Sequence, residues 1–459
     1  MRKTLLAMMG TATLAVCSAR ADSASLQYEG ATDGMPVVQT EYTADPAPLV
    51  VGDTVYLYTT HDEDGADGFD MRDWLLYTST DMVNWTNHGA VASLQDFKWR
   101  SRDNGAWAEQ VVYRNGKYYM YCPLHGNGIG VLVSDTPYGP FTDPIGKPLV
   151  WQKEHWNDID PTVLVDDDGQ AYMYWGNPKL YHVKLNEDMI SCDGSIVEHP
   201  HIQDYQEGPW IWKRGGKYYL AFASTCCPEG IGYAMSDSPV GPWQYKGHIM
   251  DHTDRTRGNH PGIIEFKGRD YVFGLNYDIL RPTTRDHHER RSVSVAPMYY
   301  KEDGTILESP YFKDTYIKPA GTFNPYRRVE AETMAWGYGL KTSLLSKTGA
   351  PDGGYRNNLA VCDIDPGETL LLKNVDFRDG ASKFIASVAS AKGGGVIEIH
   401  IDSADGPVIG TCKVPSTGGD DRFKTVSCKL RKAEGIHDLV FKFTGSGSDL
   451  FRWDWWRME

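Results

Sequence analysis

The amino-acid sequence predicts an all-β protein, a five-bladed β-propeller followed by a β-sandwich of the jelly-roll kind. Three observations carry the prediction. A unit made of an apolar run of strand length, a turn containing Gly and an aromatic strand, with an ionisable residue at its start, recurs five times before Pro319. Helical periodicity is hard to find, while aromatics are abundant and Gly and Pro are spread along the chain. Past Pro319 the repeat stops and short alternating strands take over.

With 459 residues the chain is long enough for two domains. The best-marked copy of the unit, N-D-I-D-P-T-V-L-V-D-D-D-G-Q-A-Y-M-Y-W-G, runs from Asn157 to Gly176 and reads as a β-hairpin. The other copies are D-P-A-P-L-V-V-G-D-T-V-Y-L-Y from Asp45, W-A-E-Q-V-V-Y-R-N-G-K-Y-Y-M-Y from Trp107, E-G-P-W-I-W-K-R-G-G-K-Y-Y-L-A-F from Glu207 and H-P-G-I-I-E-F-K-G-R-D-Y-V-F from His260. Their turn glycines, Gly52, Gly116, Gly169, Gly216 and Gly268, are roughly 45 to 65 residues apart, which leaves room for four strands per unit. A weaker repeat, beginning at Leu75, Val131 and Gly232, supplies third and fourth strands around a polar turn. Five four-stranded sheets around one axis make a propeller, which leaves only short, protected edges.

The first strand of each blade lies innermost, so residues at its start line the central channel. Asp45, Asp160, Glu207 and His260 therefore converge from blades one, three, four and five. In blade two, counting from the turn selects Glu109 and matching the apolar phase selects Ala108. One Asp-Pro pair is an ordinary turn starter. Ionisable groups in the same phase of four blades crowd charge around one axis, which is costly unless it serves chemistry or a bound cation.

Ring geometry then assigns roles. Blades one and four are not neighbours, so Asp45 and Glu207 face each other across the pocket. Carboxyls about 6.5 to 9.5 Å apart leave space for a sugar and a water, as in inverting glycosidases. Asp45 is read as the general base, Glu207 as the general acid, and Asp160 as the neighbouring charge that raises the acid's pKa and orients it. His260 is read as a channel hydrogen-bonder or an indirect partner of a bound cation.

The net charge of −15 argues against nucleic acid and anionic membrane as partners, since both demand basic patches and none stands out. Met1-Arg2-Lys3, the apolar run Thr4 to Val16 and Ala19-Arg20-Ala21 predict a cleavable signal peptide over residues 1–21 and a secreted or periplasmic protein. A lipoprotein ranks second, because Val16 precedes Cys17 where a small residue is needed. Removal of the leader leaves an odd number of cysteines, so a dense disulfide framework does not hold the fold. Cys412 and Cys428 flank a hairpin across which they can pair. Adjacent Cys226 and Cys227 are read as two buried thiols in preference to a vicinal disulfide. The acidic stretch Asp62 to Asp73 is read as a solvated loop, because Ala66 stands at a ligand position of the calcium-loop spacing.

The motifs A-D-P-A-P around Asp45, D-I-D-P-T around Asp160, E-G-P-W around Glu207 and G-N-H-P-G-I-I-E around His260 resemble glycoside hydrolase family 43 over roughly Val38 to Thr315. The resemblance implies an inverting propeller enzyme with Asp45 as base, Asp160 as pKa modulator and Glu207 as acid, no cofactor for the chemistry, and often a calcium ion in the channel near the residue matching His260. The stretch R-R-S-V-S-V-A-P-M-Y-Y-K-E-D-G-T-I from Arg290 resembles arabinoxylan arabinofuranohydrolases, which makes Arg291 a sugar-holding candidate. Trp107 is a candidate for stacking on a sugar face.

After the linker Pro319 to Arg327, the motifs V-E-A-E-T-M from Val329, T-G-G at Thr417 and L-F-R-W-D-W-W near the end resemble carbohydrate-binding module family 6 over residues 328–459. This resemblance implies a structural calcium site to which Glu330, Glu332 and Asp454 contribute. Asp420 and Arg452 stand where such modules commonly carry a sugar-stacking Trp and an Asn, so the usual sugar cleft is expected to be altered. The combined expectation is a secreted inverting glycosidase of residues 22–318 plus a sandwich module, releasing arabinose from arabinoxylan. A β-xylosidase is the alternative within the class, and a non-catalytic glycan-binding propeller the alternative outside it.

Overall fold

The computed structural model describes residues 36–153, 157–253, 259–284, 286, 288–346 and 356–459. The leader read at 1–21 lies outside the described residues. Apart from two short 3-10 turns, every regular element among the described residues is a β-strand.

The repeats fold as successive antiparallel sheets. The first joins Tyr42–Val51, Thr54–Asp62, Asp73–Ser79 and Trp85–Ser93, and the second Gln110–Arg114, Lys117–Leu124 and Gly128–Ser134. In the second, the fourth-strand position is filled only by single bridges, Val133 with Thr142 and Ile129 with Val150. The third sheet begins with Thr162–Val165, the fourth with Tyr205–Arg214 and the fifth with Gly262–Phe266. These five inner strands touch in cyclic order, the first meeting both the second and the fifth, so the ring closes.

Local chemistry places the turns where the repeat predicts them. Gly52, Gly116, Gly169, Gly216 and Gly268 all take positive φ, the left-handed conformation that a tight hairpin requires and side chains resist. Large aromatics, Trp74, Trp175, Tyr121 and Tyr271 among them, fill the space between sheets. At about 25 cal/mol per Å² of apolar surface, each such ring contributes several kcal/mol to holding one blade against the next.

The second module packs two sheets face to face around Phe384, Phe441, Trp453 and Trp456. The strands expected near Val396 and Asp438 are Gly395–Ile401 and Ile436–Gly445, which pair with each other. The stretch read as a linker is docked on both sides: Ala320 N donates to Asp81 O of the first sheet, and Phe323 N donates to Asn374 O of the second module. Thr333–Met334 adds a fifth strand to the first propeller sheet by pairing with Thr86 and Trp85. The reason is hydrogen-bond accounting. Backbone donors buried between the modules need partners, and the exposed sheet edge supplies them.

Cysteine chemistry departs from the expectation. Cys226 and Cys227 are exposed and joined as a vicinal disulfide, not buried thiols. Cys412 and Cys428 sit side by side on neighbouring strands as free thiols.

Candidate active site

Asp45, Asp160, Glu207 and His260 open into one pocket of about 250 Å³, together with Trp107 and Arg291. Two of the carboxylates are aimed by unusual backbone. Asp45 and Asp160 both take left-handed φ, 51° and 58°, immediately before a proline. In the first sheet a bulge between Ala44 and Ala47 accommodates this turn, and another interrupts the register on either side of Glu207. Bulges re-aim side chains at sheet rims, and here they turn strand residues into the axis.

Asp45 is buried and faces three donors or cations. Thr60 Oγ1 donates to Oδ2 at 3.0 Å, Arg291 Nη1 donates to Oδ1 at 3.3 Å, and His260 Nδ1 lies 3.2 Å from the same Oδ1, outside hydrogen-bond geometry. On the other side of the imidazole, Nε2 is 3.7 Å from both Asp160 Oδ2 and Glu207 Oε1. His260 is thus the hub between the Asp45 carboxylate and the Asp160–Glu207 pair.

Burial alone would lower the His260 pKa, but Asp160, Asp45 and Glu207 outweigh it and raise it to about 10, so the ring is an imidazolium. Asp160 is raised to about 7, first by burial and then by Glu207 and Asp45, against the opposing pull of His260 and of Gly208 N, which donates to Oδ2 at 3.1 Å. The carboxyl that retains a proton into the neutral range is therefore Asp160, with Glu207 oxygen within 4.8 Å.

Gly208 explains how blades four and five approach so closely. A Cβ at this residue would lie 2.6 Å from the His260 ring, and its φ of 59° is one that side chains disfavour. No larger residue fits between the acid and the histidine.

Arg291 is a buried cation. Its Nε and Nη2 donate to the two oxygens of Asp62 at 2.9 Å each, across blades one and five. Burial pushes toward losing the proton, and Asp45 and Asp62 more than reverse that push. Trp107 reaches the pocket wall and stacks on His125 with ring centroids 3.9 Å apart.

Several wall residues escape the repeat pattern. Asn177 donates from Nδ2 to Glu207 Oε2 and so fixes the carboxyl's orientation. Phe69 and Met71 line the pocket from the stretch read as a solvated loop. That reading needs correction: the stretch begins with fully buried Asp62 and returns apolar side chains to the site. Phe69, half exposed beside buried Met71, is the signal that was available in the sequence as an apolar pair amid acids.

Blade two resolves into two positions. Ala108 and Glu109 both line a narrow axial channel behind the pocket, along with the prolines that follow Asp45, Asp160, Gly208 and His260. Glu109 is buried, neither carboxyl oxygen has a hydrogen-bond partner among the described residues, and burial raises its pKa well above the usual range.

In the second module, Glu330, Glu332 and Asp454 share one neighbourhood, but Arg328 occupies it. The guanidinium donates to Glu330 at 2.8 and 2.9 Å and lies 3.5 Å from Asp454. Arg328 holds Glu330 and Asp454, while the buried Oε2 of Glu332 has no hydrogen-bond partner among the described residues, so a calcium ion here would have to displace Arg328. Asp420 accepts from Ala391 N at 2.7 Å and ties down the T-G-G loop. Arg452 opens the last strand, opposite Ala389.

Comparison with known proteins agrees with this construction. Residues 34–306 match the model of glycosyl hydrolases family 43, and residues 330–459 that of carbohydrate binding module family 6. An arabinoxylan arabinofuranohydrolase of Paenibacillus polymyxa is 36% identical, over 92% of this chain and 74% of its own length. One from Bacillus subtilis strain 168 is 34% identical, over 92% and 91%. The crystal structure of a family 43 arabinoxylan arabinofuranohydrolase from Bacillus subtilis, in complex with cellotetraose, superposes with a TM-score of 0.80 at 31% identity, covering 93% of this chain and 97% of that one. A β-propeller carrying this acid cluster, a β-sandwich bound to its first blade and these likenesses lead to one assignment: the chain belongs to glycosyl hydrolase family 43, and it is a glycoside hydrolase with a family 6 carbohydrate-binding module.

Proposed function

We propose that the protein is a secreted or periplasmic, inverting α-L-arabinofuranosidase that removes arabinose from arabinoxylan. The observation that carries this reading is the placement of Asp45 and Glu207 on opposite nitrogens of one imidazole at the floor of a small pocket. Contacts through a single ring keep their nearest oxygens within about 9 Å, compatible with the spacing that admits a water beside the sugar. The pocket volume suits one sugar ring and a water better than a stretch of polymer, which favours side-chain removal over internal cleavage. The names of the two bacterial arabinofuranohydrolases point the same way.

Asp45 takes a proton from water as the water oxygen attacks the anomeric carbon. The glycosidic bond breaks, and the leaving oxygen receives the proton held by the Asp160–Glu207 pair. Glu207, the more exposed of the two and oriented by Asn177, delivers it. Asp160 stores and tunes that proton, while Arg291 and Asp62 fix the base. Trp107 and Phe69 supply the apolar wall on which the sugar rests.

No cofactor enters the chemistry. The unpartnered Glu109 carboxyl fits the channel cation expected from the family, calcium being the oxygen-seeking choice. Glu109 would hold such an ion, which when bound would supply positive charge beside that carboxylate.

The test is release of arabinose or xylose from aryl pentosides and from arabinoxylan by the wild type, Asp45→Asn and Glu207→Gln. Arabinose release lost in both variants supports the reading. Release of xylose alone moves the enzyme to the β-xylosidases, and no release of either sugar overturns the pentosidase reading.

A further inference from the structure

Blade four carries a second group of ligand-type side chains at the edge of its pocket end. Asp204 precedes the strand that bears Glu207, His248 lies near the end of Gln244–Met250, and His252 follows that strand. Donor atoms of the three side chains all lie within 4.8 Å of one another. His248 Nε2 is 2.8 Å from Asp204 Oδ2, and the two imidazole rings meet edge to face with centroids 4.7 Å apart.

The surroundings are those of a supported metal site. Asp204 takes a left-handed φ of 65°, and its other oxygen is held by Thr225 N at 3.2 Å. Tyr245 OH reaches Asp204 Oδ2 at 3.3 Å. The Nδ1 atoms of both histidines turn toward one carboxylate oxygen of Asp251, at 2.8 Å from His252 and 4.0 Å from His248. A carboxylate on the far nitrogen fixes the tautomer and raises the basicity of a ligating imidazole. His252 Nε2 meets Ser224 Oγ at 3.0 Å, a bond that an ion replaces while Ser224 keeps the Gly230 amide at 2.7 Å.

We propose that Asp204, His248 and His252 bind a divalent transition ion, zinc above all, with water completing the shell. Two imidazole nitrogens and one carboxylate oxygen suit zinc and exclude calcium, which demands an oxygen cage. With metal bonds of 2.0 to 2.2 Å, donors in a tetrahedral site are about 3.4 Å apart, so the group closes by rotamer adjustments of under about 2 Å. Side-chain exposures of 19%, 21% and 34% leave an entry path for the ion. A bound ion ties the start of the Glu207 strand to the end of Gln244–Met250, the outer strand of the same blade.

The experiment is calorimetric titration of zinc chloride into the tag-free, chelator-stripped full chain, with cobalt(II) absorption as a second readout. The expected result is one zinc per chain, unaffected by excess calcium, and a cobalt spectrum of tetrahedral intensity. Each of His248→Gln and His252→Gln lowers affinity at least about tenfold, and His248→Ala/His252→Ala abolishes the site. Two other groups also gather donors, Asp160 with Glu207 and His260, and Cys226 with Cys227 and Glu229. The titration is therefore repeated in His260→Ala, where this site keeps its zinc. Absence of saturable binding, binding unchanged in the His248 and His252 variants, or binding lost only in His260→Ala overturns the proposal. The single Gln variants, each checked for wild-type circular dichroism, decide the matter if the double variant does not fold.

Discussion

Asp160→Asn isolates the electrostatic claim at the heart of the site. The Asp160 carboxyl is raised to about 7 and has an oxygen within 4.8 Å of one on Glu207, so it holds a proton beside the proposed acid into the neutral range. Asn keeps the shape and can still accept the Gly208 N–H, but it can neither hold that proton nor become an anion as pH rises through about 7. At an effective dielectric of 20, the charge that Asp160 gains there is worth about 3.5 kcal/mol at that distance. The His260 imidazolium and pocket water reduce this to about 1.4 to 2.7 kcal/mol, a factor of about 10 to 100 in rate. In a profile of kcat/KM against pH with an aryl pentoside, the wild type loses activity as pH rises through about 7, whereas Asp160→Asn lacks that limb and runs lower by that factor at acid pH. A limb that stays in place, in a variant that folds and binds normally, refutes the role given to Asp160.

Four further outcomes follow from the same geometry. Glu207→Gln loses about 10²- to 10⁴-fold in kcat on arabinoxylan but far less on pentosides with strongly acidic leaving groups, whereas Asp45→Asn loses activity on both; kinetics on paired substrates separates acid from base. Asp62→Asn frees Arg291 from its bidentate partner and lowers kcat about tenfold or more with a smaller change in KM, checked by steady-state kinetics. Gly208→Ala forces a Cβ into the His260 ring and costs about 1 to 3 kcal/mol, read as a lower denaturation midpoint. Finally, His260 is raised from 6.5 to about 10 and Asp160 from 3.8 to about 7, so both bind protons more tightly when folded. Their stabilisation is full below the unfolded pKa values and fades as pH rises, between about 4 and 7 for Asp160 and about 6.5 and 10 for His260. Thermal midpoints of the wild type and His260→Gln therefore converge as pH approaches 10.

Much of this site was legible because a propeller imposes one register on distant segments. Asp45, Asp160, Glu207 and His260 share a phase in the repeat, and the shared phase alone brings them to one axis. Blade two stayed ambiguous for a structural reason: Ala108 and Glu109 both border the channel, and neither reaches the pocket. The Arg291–Asp62 pair joins residues at opposite ends of the propeller sequence, and no local pattern announces it. Asn177 belongs to no repeated position, so only the fold places it on Glu207. The docked stretch around Ala320 and Phe323 read as a linker because its composition reports turn chemistry, while its backbone partners lie in separate modules.

Asp45 and Glu207 are proposed to act from opposite faces of a bound arabinosyl unit. Proton NMR of the first minutes of arabinoxylan digestion tests it most directly, since it identifies both the released sugar and its anomer before mutarotation. The expected product is arabinose whose initial anomeric configuration is inverted relative to the linkage cleaved. Arabinose released with retained configuration, or no arabinose at all, contradicts it.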